Sequence, residues 1–295
     1  MIALLLLAGC VVGGADEPRP RDLASSWEVD RLRVLAIRAE PPEAAPGTEV
    51  ALEALVAGPP GLALPSDRVW LACAEATPLG CPLDPELLTG EPTPDELVAA
   101  GLIGLEPRWA PTYTPSAELL SDADPRAREN GVYVTAEVIL LPEGGLEAGA
   151  LDFNAVEVAT KRIVVSETGA PNHNPPIRGW TVDGWPLPSG ATALVTAGEA
   201  YELGIDVPED APEAYQSMDT DGLLRDYTEA LYATWYATSG ELLESWTLHP
   251  WHQATWIAPA VEGQEGVWWA VLRDRRGGLT WIEQPFRVVS SNRTG

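Results

Sequence analysis

Few residues of this 295-residue chain stand at spacings that do chemistry. His249-Pro250-Trp251-His252 places two imidazoles three positions apart, the spacing of two metal ligands on one helix face. Pro250 disfavours a regular helix there, no Glu stands between the histidines, and no third ligand is evident, so the expectation is a loop. Asp219-Thr220-Asp221-Gly222 begins like a calcium loop. Aligning Gly222 with the obligatory glycine puts Ser217 first and Thr228 last, where a bidentate Glu belongs. A polar turn accounts for these residues; Ca²⁺ held by Asp219 and Asp221 is the alternative. With three histidines and no Gly-x-Ser-x-Gly, Walker or dinucleotide motif, hydrolysis is the remotest reading, and no catalytic residue is assigned.

Tryptophan is the other conspicuous chemistry. Of twelve, nine lie beyond residue 175. Trp268 and Trp269 are adjacent, so on a strand they face opposite ways: one enters a core, the other is exposed or covered by a neighbouring domain. With Trp246, Trp251 and Trp281, the outward ring would make a platform for sugar rings, and Trp246, Trp251, Trp268 and Trp281 are the candidate glycan-binding residues.

Three cysteines remain. The chain opens with an apolar run ending Leu7-Ala8-Gly9-Cys10, which resembles the lipobox of bacterial lipoproteins. The resemblance implies removal of residues 1–9 as a signal peptide, acylation of the Cys10 thiol by a diacylglyceride, and a lipid-anchored protein of the cell envelope. Val11, where an Asp would imply inner-membrane retention, favours the outer membrane of a Gram-negative bacterium. The run is too short to span a bilayer. Residues 10–27 carry Gly, Pro and charge without periodicity, as a tether does. In an exported protein Cys73 and Cys81 are expected to form a disulfide, the turn formers Pro78 and Gly80 bringing them together.

The net charge of −26, from 44 acidic against 18 basic residues, keeps such a protein soluble and repels phosphate backbones, which argues against nucleic acid as a partner. The elements that must position these residues are strands. Val50, Leu52, Ala54 and Val56 alternate with Ala51, Glu53 and Leu55; the same period of two runs through 132–140, 201–207, 231–237 and 267–272. Further strands are expected at 32–39, 68–74, 155–165 and 280–289, the last closing a hairpin through Arg276-Gly277-Gly278. Between 82 and 130 the alternation fails; this Pro-rich stretch, with a helix at 94–100, reads as a long insertion. Residues 169–176 read as an extended linker.

These features predict an all-β protein of two tandem immunoglobulin-like β-sandwich domains, 28–168 and 177–295, behind the signal and tether. The segments Asn174-Pro175-Pro176-Ile177, Trp235-Tyr236-Ala237-Thr238-Ser239-Gly240, Trp256-Ile257-Ala258-Pro259 and Arg273-Asp274-Arg275-Arg276-Gly277-Gly278 resemble immunoglobulin-like or PKD-like modules of bacterial surface proteins. So do 32–42 and Ala45-Pro46-Gly47 in uncharacterised surface lipoproteins. The resemblance implies a structural, adhesive or protein-interaction role rather than catalysis. The expected partners are the lipid bilayer, through Cys10, and an unidentified envelope protein or glycan.

Overall fold

Val50, Leu52, Ala54 and Val56 are buried while Ala51 and Glu53 are exposed, so the alternation in the sequence becomes the two faces of a strand. The computed structural model describes residues 26–73, 81–82, 93–141 and 156–290. Residues 1–9, Cys10 and nearly all of the 10–27 tether lie outside the described residues.

The N-terminal half contains β1 (Arg33–Glu40), β2 (Glu43–Ala44), β3 (Val50–Ala57), β4 (Arg68–Cys73), α1 (Pro94–Ala99), β5 (Leu102–Glu106), β6 (Thr112–Tyr113), α2 (Pro125–Asn130), β7 (Val132–Leu140) and β8 (Glu157–Val165). They form a sheet β1-β3-β6 facing a sheet β2-β8-β7-β4-β5. Only the β2–β8 pair is parallel. Between the sheets lie Ile37, Val50, Leu52, Trp70, Val138 and Ile163. Fully buried Trp70 keeps its indole satisfied by donating to Glu106 at 2.9 Å.

The stretch 82–130 is not a plain insertion. It contributes β5 to one sheet and β6 to the other, together with α1 and α2. β5 is five residues long and β6 only two, too short for period two to stand out from the surrounding prolines. The expected helix is present as α1, where Thr93 and Glu96 close a capping box.

The C-terminal half contains β9 (Gly179–Val182), β10 (Trp185–Pro186), β11 (Ala193–Thr196), β12 (Ala200–Asp206), β13 (Ala214–Met218), β14 (Leu224–Thr228), β15 (Tyr232–Ala237), β16 (Glu241–Leu242), β17 (Trp246–Leu248), β18 (Gln253–Ile257), β19 (Glu265–Arg273) and β20 (Leu279–Val289). Sheet β10-β9-β12-β18-β16 faces sheet β11-β20-β19-β15-β17, and β13–β14 is a separate hairpin. Trp180, Trp235, Trp256, Trp268 and Phe286 fill the space between the sheets. Trp268 stacks on Phe286 with centroids 4.8 Å apart and meets Trp256 edge-on at 4.8 Å.

The two halves repeat one plan. Strands β1, β3 and β6 oppose β4, β7 and β8 as β9, β12 and β18 oppose β15, β19 and β20. In each half a short strand, β2 or β11, runs parallel to the last strand, and a buried Trp, Trp70 or Trp235, sits on the first long strand of the same sheet. The chain is all-β and builds immunoglobulin-like sandwiches.

A third apolar cluster joins them. Leu35, Ala36, Leu55 and Ala57 leave the outer face of β1 and β3 and pack on Trp269, Val271 and Leu279 of β19 and β20. Leu55, Ala57, Trp269 and Val271, which alternate with core positions on their strands, are therefore buried as well, against the other sandwich. A β-bulge between Val34 and Ala36 releases the Leu35 carbonyl from its ladder, and Arg273 donates to it across the junction at 3.3 Å. The described chain begins on the C-terminal sandwich: the Ala237 amide donates to the Trp27 carbonyl at 3.1 Å, and the Val29 amide to the Ala237 carbonyl at 2.9 Å.

Candidate binding surface

The 169–176 segment forms neither helix nor strand, and its asparagines tie the sandwiches together. Buried Asn172 donates its backbone amide to Glu43 at 2.8 Å and its side-chain amide to Asp274 at 2.7 Å. Asn174 donates to the Ala39 carbonyl at 2.8 Å and accepts from the Leu279 amide at 2.8 Å.

Asp274 and Arg276 come from the β19–β20 turn. The Asp274 carboxylate accepts from the backbone amides of Arg276, Gly277 and Gly278 at 2.7, 3.0 and 3.0 Å. Burial raises its pKa, and the Asn172 and backbone donors oppose that rise. Gly277 has φ +120°, as a tight turn requires, while Gly278 is needed for space: a Cβ there would come within 2.7 Å of the His173 carbonyl oxygen. Arg276 bridges Glu43 and Glu229 at 3.1 Å each and lies over the Tyr215 ring at 4.2 Å. Burial lifts the Glu229 carboxyl to about 7. On the neighbouring face Asn130 of α2 grips the β13–β14 hairpin, donating to the Met218 carbonyl and accepting from its amide, both at 2.7 Å.

Beside this network the junction opens into several cavities; one of about 230 Å³ shares Arg275 and is lined also by Glu43 and Glu129, and two others are lined by basic residues. The first, about 410 Å³, lies between β1, β8 and the β19–β20 turn and is lined by Lys161, Arg162, Arg273 and Arg275. The second, about 460 Å³, shares Tyr232 and Arg275 with it and adds Arg33, Tyr236 and Trp246. Neither lining contains an Asp or Glu. Lys161 donates to the Gly277 carbonyl; burial, opposed by Asp274 and reinforced by Arg273, lowers its pKa to about 8.

The residues singled out in the sequence are scattered by the fold. Cys73 and Cys81 form a disulfide with Cα atoms 5.6 Å apart. Trp246 and Trp251 are 60% and 73% exposed. Trp268 is fully buried between the sheets and offers no face to a sugar, which corrects its place in the expected platform. Its neighbour Trp269 points the other way, into the junction. Trp281 is partly buried, with the Arg38 guanidinium 4.9 Å from its ring centre.

At the calcium candidates the carboxylate of Asp219 has partners within its own hairpin. Asp219 accepts from the backbone amides of Asp221 and Leu223 at 2.9 and 3.0 Å and pairs with Arg225. Those donors, the Leu223 amide foremost, hold its pKa down; the carboxylate closes the tip of the β13–β14 hairpin. Among the described residues no three His, Cys, Asp or Glu side chains converge as a metal site. His249 and His252 bond to each other, Nδ1 to Nε2, at 3.1 Å. Burial, with His249 adding to it, lowers the His252 pKa to about 4, so that ring is neutral near pH 7.

Asn172, Asn174 and Lys161 were not evident as site residues in the sequence. An Asn in a Pro-rich segment, or a Lys on an alternating strand, carries no mark until its partner from the other sandwich is known. Asp274 and Arg276 stood in a recognisable turn, which was the one usable signal.

No protein-family model matches the chain, and no curated protein matches it. Solved structures that align with it include fibronectin(III)-like modules of Clostridium thermocellum CbhA (10% identity, 88% of this chain, 97% of that one, TM-score 0.25). Murine CEACAM1b aligns at 13% identity over 88% of this chain and all of that one, TM-score 0.25. The Ig1-2 module of the Drosophila receptor phosphatase DLAR aligns at 10% identity over 88% and 99%, TM-score 0.24. Scores this low carry no argument about function; the strand order described above establishes the fold.

Proposed function

We propose that this protein is a non-catalytic binding protein of the bacterial cell envelope, anchored through a lipid on Cys10 and presenting its paired sandwiches as one stiff unit. The observation that supports it is the junction. An apolar cluster and a buried polar network from three segments hold the sandwiches together, an arrangement suited to fixing a composite surface. Trp246, which lines the second basic junction cavity, gives that surface an exposed aromatic face, and Trp251 is a second exposed ring, as glycan- and protein-binding proteins present.

Two measurements test this. Mass spectrometry of the mature chain from a Gram-negative host is expected to find acylated Cys10 at the N-terminus; an unmodified Met1 refutes the anchor. Capture of envelope glycan or protein by the full chain is expected to be lost in the Trp246→Ala, Trp251→Ala double variant. Capture unchanged by that substitution refutes the surface.

A further inference from the structure

We infer that the two basic junction cavities bind an acidic saccharide, its carboxylates held by Arg162, Arg275 and their basic neighbours and a sugar ring laid on Trp246. The inference rests on the binding role proposed above and names its ligand.

Charge is the first reason. In a chain where acidic residues outnumber basic ones more than twofold, two adjoining cavities gather Arg33, Lys161, Arg162, Arg273 and Arg275 and exclude every Asp and Glu. Among the described residues none of these five forms an ion pair with a carboxylate. The ion pairs found are made by Arg31, Arg38, Arg68, Arg128, His173, Arg225, Arg276 and Arg287. The surrounding acidic surface would repel an anion everywhere else, so these cavities are where one is attracted.

Pre-organisation is the second reason. Arg273 is held by the Thr234 hydroxyl at 2.8 Å and the Leu35 carbonyl, and Arg33 by the Ser26 and Glu28 carbonyls at 2.9 and 3.0 Å. Tyr232 carries Arg273 and Arg275 at 5.9 and 5.5 Å from its ring centre, and Arg162 lies 5.6 Å from that of Tyr133. Guanidinium groups on aromatic rings are oriented before a ligand arrives and retain edge donors that fit a carboxylate. The third reason is shape. The two cavities share Tyr232 and Arg275, so together they take a ligand longer than one charged group, and Trp246 supplies an exposed aromatic face in the second. A chain of sugar rings with regularly placed carboxylates meets these conditions.

The test is calorimetric titration of the full chain with tetragalacturonate, with its methyl-esterified neutral form, and with sodium sulfate. The acidic tetramer is expected to bind, weakening with salt, and the neutral form to bind at least about tenfold more weakly. Arg162→Glu and Arg275→Glu, both at exposed positions, are each expected to weaken binding about tenfold or more with unchanged melting temperature, and Trp246→Ala about fivefold. Absence of tetragalacturonate binding, equal binding of the neutral form, sulfate bound as tightly, or insensitivity to all three substitutions each overturns the inference. If tetragalacturonate fails while Trp-dependent capture of envelope material persists, acidic recognition alone falls; if both fail, the binding role falls with it.

Discussion

Arg276 and Glu43 form a buried ion pair across the junction, with nitrogen and oxygen 3.1 Å apart, although their positions in the chain differ by 233. Glu43 also accepts from Ser166 at 2.7 Å and from the Asn172 backbone amide, so its carboxylate is fully partnered away from water. Arg276 holds Glu229 with its other terminal nitrogen. One guanidinium thereby bridges two carboxyl groups that have little access to solvent.

Arg276→Ala is expected to destabilise the protein by about 3 kcal/mol or more, because removing one partner leaves buried charge unmatched. Urea unfolding measures the loss. Glu43→Gln, which keeps the shape, is expected to cost less and to restore part of the stability of Arg276→Ala when combined with it, as coupled sites do.

The junction and the C-terminal sandwich carry opposing pH dependences. Glu229 has a folded pKa of about 7 against an ordinary 4.5, so its contribution to stability is present below 4.5 and is lost as the pH rises through 7. His252 has a folded pKa of about 4 against 6.5, so its contribution is present above 6.5 and is lost as the pH falls toward 4. Between these limits the two offset each other. Glu229→Gln is expected to leave stability rising with pH from 4.5 to 6.5, and His252→Asn to leave it falling. Urea midpoints across that range check both signs. Lys161, lowered to about 8 from 10.5, adds stability as the pH rises from 8 to 10.5, and Lys161→Met removes that rise.

Trp268 and Trp269 are chemically identical neighbours with different roles. Trp268→Ala empties the centre of the C-terminal core and is expected to destabilise that sandwich by about 3–5 kcal/mol. Trp269→Ala removes a junction contact while leaving that core filled. Calorimetric unfolding is expected to show a single lowered transition for the first and two separated transitions for the second.

The Cys73–Cys81 bridge closes a short loop at the end of β4, above the cluster of Val69, Leu71 and Leu102. The Cys81 backbone amide donates to buried Glu137 at 3.0 Å. Replacing both cysteines by serine is expected to cost about 2–3 kcal/mol, from the unfolded-state freedom regained by a loop of this length. The loss is confined to the N-terminal sandwich and is checked by hydrogen exchange of β4 and β7.

Strand positions and core faces were legible in the sequence. Leu231, Ala233, Trp235 and Ala237 are all buried as their alternation requires, because a strand's side chains take opposite sides whatever it packs against. The two-sandwich plan and the closeness of Cys73 and Cys81 followed from similarly local signals. The short strands β5 and β6 were hidden, since pairing with longer neighbours defines them rather than any pattern of their own. Which face of the Trp268–Trp269 pair enters the core was also undetermined, because two adjacent large apolar rings satisfy either register. The gathering of Arg33, Lys161, Arg162, Arg273 and Arg275 is a product of tertiary structure alone. They lie on three strands and a turn of two sandwiches, and a charge spread that widely in the chain becomes a site only when the sandwiches meet.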